Sequence, residues 1–300
     1  MHEFLQQLIN GLSLGAIYAL IALGYSMVYG LLKFINFAHG DVLMVGAFAG
    51  YYAAPLATRI FPDPWMVTAA VILAAMIVCA LLGVLIERLA YRPLRNQPKL
   101  AVLITSIGVS LLLSYGGQIF FGVNQKAFPD LLPPIRFSLG AGVSISGNHL
   151  LVIAVTLVLL IALREIVLRT RFGLALRALS QNRDAAALMG VNSNVVIAVT
   201  FALGSALAGA AGVLYAMNIH SIEPLMGTLP GIKAFVAAVL GGIGSLPGAA
   251  VGGVLLGLSE CLLGGSFLSS YRDAIAFGIL ILILLLRPSG LFGSTATEKV

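Results

Sequence analysis

The sequence predicts an all-α polytopic membrane protein, and three features carry that prediction. Its 300 residues are 60% hydrophobic and 9% charged, with a mean hydropathy of +1.04, against roughly 45–50% apolar and about 25% charged for soluble domains. Uncharged runs such as Trp65–Ile86, Leu100–Phe121 and Val195–Met217 reach the roughly 20 residues that an α-helix needs to cross a bilayer. None of them shows the alternation of a transmembrane barrel strand.

In chain order the expected spans are Leu5–Leu32, Val42–Leu56, Trp65–Ile86, Leu100–Phe121, Leu150–Leu163, Val195–Met217, Ala234–Ser259 and Ala274–Leu286. That makes about 8 transmembrane helices, or 9–10 if the Gly/Pro-broken segment near 241–248 counts as two. The N-terminal stretch MHEFLQQLINGLSLG lacks the Lys/Arg n-region of a cleavable signal peptide, so the first span is expected to be retained. Residues 1–300 read as a single transmembrane domain without an internal boundary. Cys79 and Cys261 both lie in apolar runs and give neither a disulfide framework nor a metal site.

The net charge of +6 does not point to nucleic acid, because the excess sits in loops beside spans. Four Lys/Arg fall in 87–99 (Arg88, Arg92, Arg95, Lys99) and five in 164–184 (Arg164, Arg169, Arg171, Arg177, Arg183). By the positive-inside rule both loops are expected in the cytoplasm, the second as a loop of about 164–194. The segment of about 122–149 carries only Lys126 and Arg136 and is expected outside, with VSIS as a small strand-like piece. Counting back from Arg88 puts the N-terminus outside; the C-terminus is inside if the 241–248 break makes two spans. Gly11/Gly15, Gly46/Gly50, Gly248/Gly252 and Gly253/Gly257 place small residues on single helix faces, the signature of close helix packing.

The stretch Arg171–Val191 is charged and helix-prone within a chain otherwise made of spans. Asn182 reads as an N-cap, Asp184 suits the first helical turn, and Gly190 reads as the stop. About two turns of helix are marginal alone in water, so a partner surface is expected to complete them. The chain has no G-x-x-x-x-G-K-[ST] and no Gly-Lys dipeptide at all, so it cannot carry a P-loop ATPase. Nucleotide energy, if used, comes from a partner.

Asn36, His39 and Asp41 form the densest polar group beside a span. One reading is a capped turn, with Gly40 in the left-handed region and Asp41 starting the next helix. The other is a place on a translocation path or gate. Catalysis is disfavoured, since no nucleophile or third metal ligand accompanies them. Gly241, Gly244 and Ser245 are further candidates for the path, because a broken segment at membrane depth must be packed by protein or line a cavity. Glu260, Arg272 and Asp273 are expected near the interface, pairing or snorkelling, with no charge relay deep in a span.

Several motifs in order and spacing carry a family resemblance: Phe4-Leu5-Gln6-Gln7, Tyr18-Ala19-Leu20-Ile21-Ala22, Met27-Val28-Tyr29-Gly30, Ile35-Asn36-Phe37-Ala38-His39-Gly40, Glu87-Arg88 with Ala90-Tyr91-Arg92-Pro93, and Lys233-Ala234-Phe235 with Ala237 to Ser245. Almost from end to end the chain resembles the permease of bacterial high-affinity branched-chain amino-acid ABC importers. The resemblance implies an inner-membrane importer subunit for leucine, isoleucine and valine. It also implies partners: a second related permease, two cytoplasmic ATP-binding subunits and a periplasmic amino-acid-binding protein. This chain would bind no cofactor, ATP being used by the partner subunits. The loop is similar to the coupling motif Glu-Ala-Ala-x-x-x-Gly of such importers, which marks Arg183, Asp184, Ala185, Ala186 and Gly190, with Asp184 in place of Glu. The Ile-x-Leu-Pro that follows in many importers is absent, Thr200 standing where the Ile would be. The rival readings are a secondary transporter or channel without an ATPase, or an integral-membrane enzyme. Both are disfavoured, the first by the missing intramembrane charge relay and the second by the missing catalytic set.

Overall fold

The structure, a computed structural model, describes residues 2–95, 97–138, 144–264, 271–287 and 289–293. Its helices are α1 (His2–Leu32), α2 (His39–Ile60), α3 (Pro64–Ile86), α4 (Lys99–Phe121), α5 (Gly147–Arg169), α6 (Arg171–Gln181), α7 (Arg183–Leu188), α8 (Ser193–Ile219), α9 (Thr228–Gly241), α10 (Leu246–Gly264) and α11 (Arg272–Leu286). Among the described residues, six are long and apolar enough to cross a membrane: α1, α3 with its continuation to Leu94, α4, α5, α8 and α10. The 22-residue α2 and the shorter apolar helices α9 and α11 complete an all-α polytopic fold. The expected span Ala234–Ser259 is broken, with α9 ending at Gly241 and α10 starting at Leu246.

Local chemistry sets the helix ends. Asp63 caps α3 by accepting from Trp65 N at 3.1 Å, with Pro64 in the first turn. Ser146 and Thr170 cap α5 and α6 in the same way. Beyond Ile86, α3 runs on as a π turn, Glu87–Tyr91, then a 3₁₀ turn, Arg92–Leu94.

The paired glycines pack helices inside this one chain. Gly11 and Gly15 of α1 lie against Gly257, Leu258 and Val254 of α10, and Gly253 lies against Ala19. A Cβ on Gly46 of α2 would sit 2.6 Å from the Cα of Gly209 in α8. Helix α1 is thereby buried over most of its length, while α4 and α5 expose long apolar side chains such as Leu112, Ile119 and Val158. That exposure suits a lipid-facing surface.

The two ends of the bundle are distinct. At one end Arg95 Nη1 donates to Asn194 Oδ1 at 2.7 Å, which brings the loop after α3 to the start of α8. The two basic loops therefore share an end. At the opposite end β1 (Lys126–Ala127) pairs antiparallel with β4 (Ser221–Ile222), Lys126 facing Ile222. A hairpin of β2 (Arg136–Ser138) and β3 (Ser144–Ser146) lies at the same end, beside the start of α5, so the VSIS segment is strand-like as expected. Gln6 Oε1 accepts from Ser144 N at 3.0 Å, placing the start of α1 at this end too.

Candidate functional site

Two regions collect the candidate residues. The first begins where α1 ends. Lys33, at φ +57°, turns the chain out of the helix, and residues 33–38 climb back along it. His39 at the start of α2 packs on Gly24, eight residues before the end of α1, or about 12 Å at 1.5 Å per residue. Helix α2 therefore starts well inside the bundle. Gly40 is helical and not left-handed, contrary to the sequence expectation. It has a different need for glycine: a Cβ there would meet Gly227 O at 2.5 Å and Gly231 Cα at 3.0 Å, so the starts of α2 and α9 touch backbone to backbone.

The polar residues of this turn are buried and held individually. Tyr91, on the π turn, donates from its hydroxyl to Asn36 Oδ1 at 2.6 Å, and Ala38 N donates to the same oxygen at 3.2 Å. The His39 ring stands edge-on to Tyr25, centroids 4.6 Å apart. Asp41, only 3% exposed, accepts from Ser110 and Ser114 of α4, at 2.5 Å for Ser114. Ser110 is the middle residue of the 23 in α4. A carboxylate thus sits halfway along a helix long enough to span a bilayer. Beside it is a cavity of about 250 Å³, lined by Asp41, Tyr25, Phe37, Ile107, Thr228 and Phe235 among others.

Gly241, Gly244 and Ser245 do not join that cavity. Gly241 packs on Gly248, and its carbonyl accepts from Phe292 N at 3.0 Å. Ser245 Oγ accepts from Gly248 N at 3.2 Å, capping α10. Gly244 (φ +91°) and Ser245 line a separate cavity of about 510 Å³, together with Ser26, Gly30, Lys33 and Arg177.

The second region is α7. Asn182 Oδ1 accepts from Asp184 N and Ala185 N, both at 3.0 Å. Gly190, at φ +85°, ends the helix, with Gly190 N donating to Ala187 O and Val191 N to Ala186 O. Asn192 then caps α8 through Asn194 N and Val195 N. Ala186 faces inward, while Leu188 and Met189 are 88% and 84% exposed. The Arg95 guanidinium beside this loop forms an ion pair with buried Glu87; partial burial, and secondarily the charge of Arg183, push its pKa down.

One buried group escaped the sequence reading. Lys233 of α9 lies 2.7 Å from Glu260 of α10 and 2.8 Å from Asp273 of α11, and Tyr18 of α1 donates to the other Glu260 oxygen at 2.9 Å. Glu260, expected to pair or snorkel near the interface, does pair, but as a buried residue only 4% exposed. An ammonium and a hydroxyl meet its charge. The signal available was Lys233 itself, a lone cation inside an apolar run. The side chain of Arg272, grouped with them in the sequence reading, lies outside the described ones. Among the described residues no cluster of His, Cys, Asp or Glu could hold a metal ion.

A long helical bundle, a half-buried second helix and a capped loop helix fit a permease, and comparison decides which kind. Residues 7–284 match the family model of the branched-chain amino acid transport system permease component. The chain belongs to this family. This permease is 45% identical to the high-affinity branched-chain amino acid transport system permease protein BraD of Pseudomonas aeruginosa, over 100% of the chain and 99% of that protein. It is 40% identical to the corresponding LivH of Escherichia coli K12, over 99% and 98%. More distantly, it is 26% identical to the ribose import permease protein RbsC of Haemophilus influenzae, over 94% and 84%. The permease is a multi-pass protein of the bacterial inner membrane, and its function is transport, as a subunit of a branched-chain amino-acid importer.

Proposed function

We propose that this permease works in an ATP-driven importer that moves leucine, isoleucine and valine inward. Two cytoplasmic ATP-binding subunits drive it, a second related permease stands beside it, and a periplasmic binding protein delivers the amino acid. The loop 164–194 and the loop 87–99 face the cytoplasm, and 122–149 faces the periplasm. The observation that carries this reading is α7, a six-residue capped helix that turns Leu188 and Met189 into solvent. Such a short helix is marginal unless packed, and apolar side chains at its end mark a contact surface. Arg183, Asp184, Ala185, Ala186 and Gly190 couple the bundle to the ATPase through it.

Arg95 supports transmission. It ties the end of α3 to Asn194 at the base of α8, next to α7, so a push on the loop reaches two long helices. The turn of Asn36, His39 and Asp41 lies on the translocation path. Gly244 and Ser245 line its cytoplasmic vestibule, the 510 Å³ cavity, and Gly241 holds the break in shape. The test is uptake of radiolabelled leucine into proteoliposomes holding both permeases and both ATPases. Uptake should require internal ATP and the loaded binding protein. Leucine uptake by this permease without any ATPase would instead indicate a secondary transporter or channel.

A further inference from the structure

We infer that the cavity between α1, α2, α4 and α9 is a membrane-embedded subsite for one zwitterionic aliphatic amino acid, with Asp41 receiving its ammonium group. The inference rests on the transport reading above and names the substrate chemistry of one point on the path.

Three observations point there together. First, Asp41 is buried; its carboxylate accepts from the Ser110 and Ser114 hydroxyls and from its own backbone N–H, and the ion pairs among the described residues lie elsewhere. A buried carboxylate is costly unless a cation and hydrogen bonds compensate it. Two serine hydroxyls occupy part of its acceptor capacity of about four lone-pair sites, leaving room for an ammonium. His39, its near neighbour in sequence, faces Gly24 and Tyr25.

Second, the rest of the cavity is apolar. Phe37, Ile107, Ile232 and Phe235 form walls that suit a branched aliphatic side chain. Its volume of about 250 Å³ is below the roughly 300–1,000 Å³ of drug-sized ligand sites, a size for one small solute.

Third, the first turn of α9 faces the cavity, with Gly227 and Thr228 in its wall. Its positive dipole end and the Thr228 hydroxyl complement a substrate carboxylate. Ammonium, carboxylate and aliphatic group each find a matching surface within one cavity.

The test uses the assembled importer in proteoliposomes, with binding protein loaded with radiolabelled leucine or valine. Asp41→Asn keeps a hydrogen-bonding partner for both serines and removes the charge. Its maximal leucine uptake should fall at least tenfold, while the loaded binding protein still half-saturates at the wild-type concentration. Uptake within twofold of wild type would overturn the inference. If Asp41→Asn fails to assemble with the ATPases, Ile232→Trp decides. Filling the apolar wall should lower leucine uptake at least threefold relative to valine, and an unchanged ratio would overturn the subsite. ATP-independent uptake by the unmutated complex would contradict the transport reading itself, a result distinct from either variant.

Discussion

The ammonium of Lys233 lies 2.7 Å from the carboxylate of Glu260, joining two helices on either side of the break at 242–245. With Tyr18 and the partly exposed Asp273 it ties α1, α9, α10 and α11 together.

The buried half of this group is the Lys233–Glu260 pair. Lys233→Met removes its ammonium, and losing one partner of a buried pair costs about 3–5 kcal/mol. The thermal midpoint of the detergent-extracted permease should drop clearly. Replacing both Lys233 and Glu260 by Met should lose less than the two single variants summed. A Lys233→Met midpoint equal to wild type would show that the pair contributes nothing.

The glycine contact between α2 and α9 should be intolerant. Gly40→Ala drives a Cβ to 2.5 Å from the Gly227 carbonyl, and backbone cannot move aside cheaply, so overpacking of about 1–3 kcal/mol is expected. Gly116→Ala in α4 meets nothing within 4 Å and should be neutral or slightly stabilising, since Ala is favoured over Gly in helices by roughly 0.5–1 kcal/mol. Accumulation and melting of the two variants, side by side, measure the contrast.

The loop helix can be separated from the fold. A Cβ at Gly190 also meets nothing within 4 Å, but its φ is +85°. Gly190→Val therefore suffers backbone strain of about 1–2 kcal/mol without a collision. We expect it to insert and accumulate normally yet lose substrate-stimulated ATP hydrolysis and uptake. Asp184→Lys, reversing charge in the first turn, should do the same. Near-normal uptake by both variants would count against coupling through α7.

Sidedness is open to a direct check. In a chain lacking Cys79 and Cys261, single cysteines at exposed Gln181 and Asn124 are probed in whole cells with an impermeant thiol reagent. Asn124 should react and Gln181 should not. The reverse pattern would invert the proposed topology.

Local signals made much of this molecule readable. Asn182 and Gly190 act within a few residues of themselves, so both ends of α7 could be assigned from spacing alone. The span Trp65–Ile86 needs only its own hydropathy. The buried partners were illegible for the opposite reason. Tyr18 meets Glu260 across 242 positions, and Asp41 meets Ser114 across 73. Composition says nothing about which helices touch. Ser110 and Ser114, four residues apart on one helix face, are a faint sign that α4 has a polar stripe. Gly40 shows a subtler gap: its sequence neighbours suggest a turn, whereas the distant Gly227 is what demands it.

Leu188 and Met189, bare at the tip of α7, also bear on how the cell must handle this subunit. A copy made in excess of its partners would display two apolar side chains in the aqueous phase, the kind of surface that chaperones and proteases act upon. If the ATPase covers this tip as proposed, the lifetime of the permease should follow the supply of that subunit, which makes balanced synthesis of the subunits part of its stability.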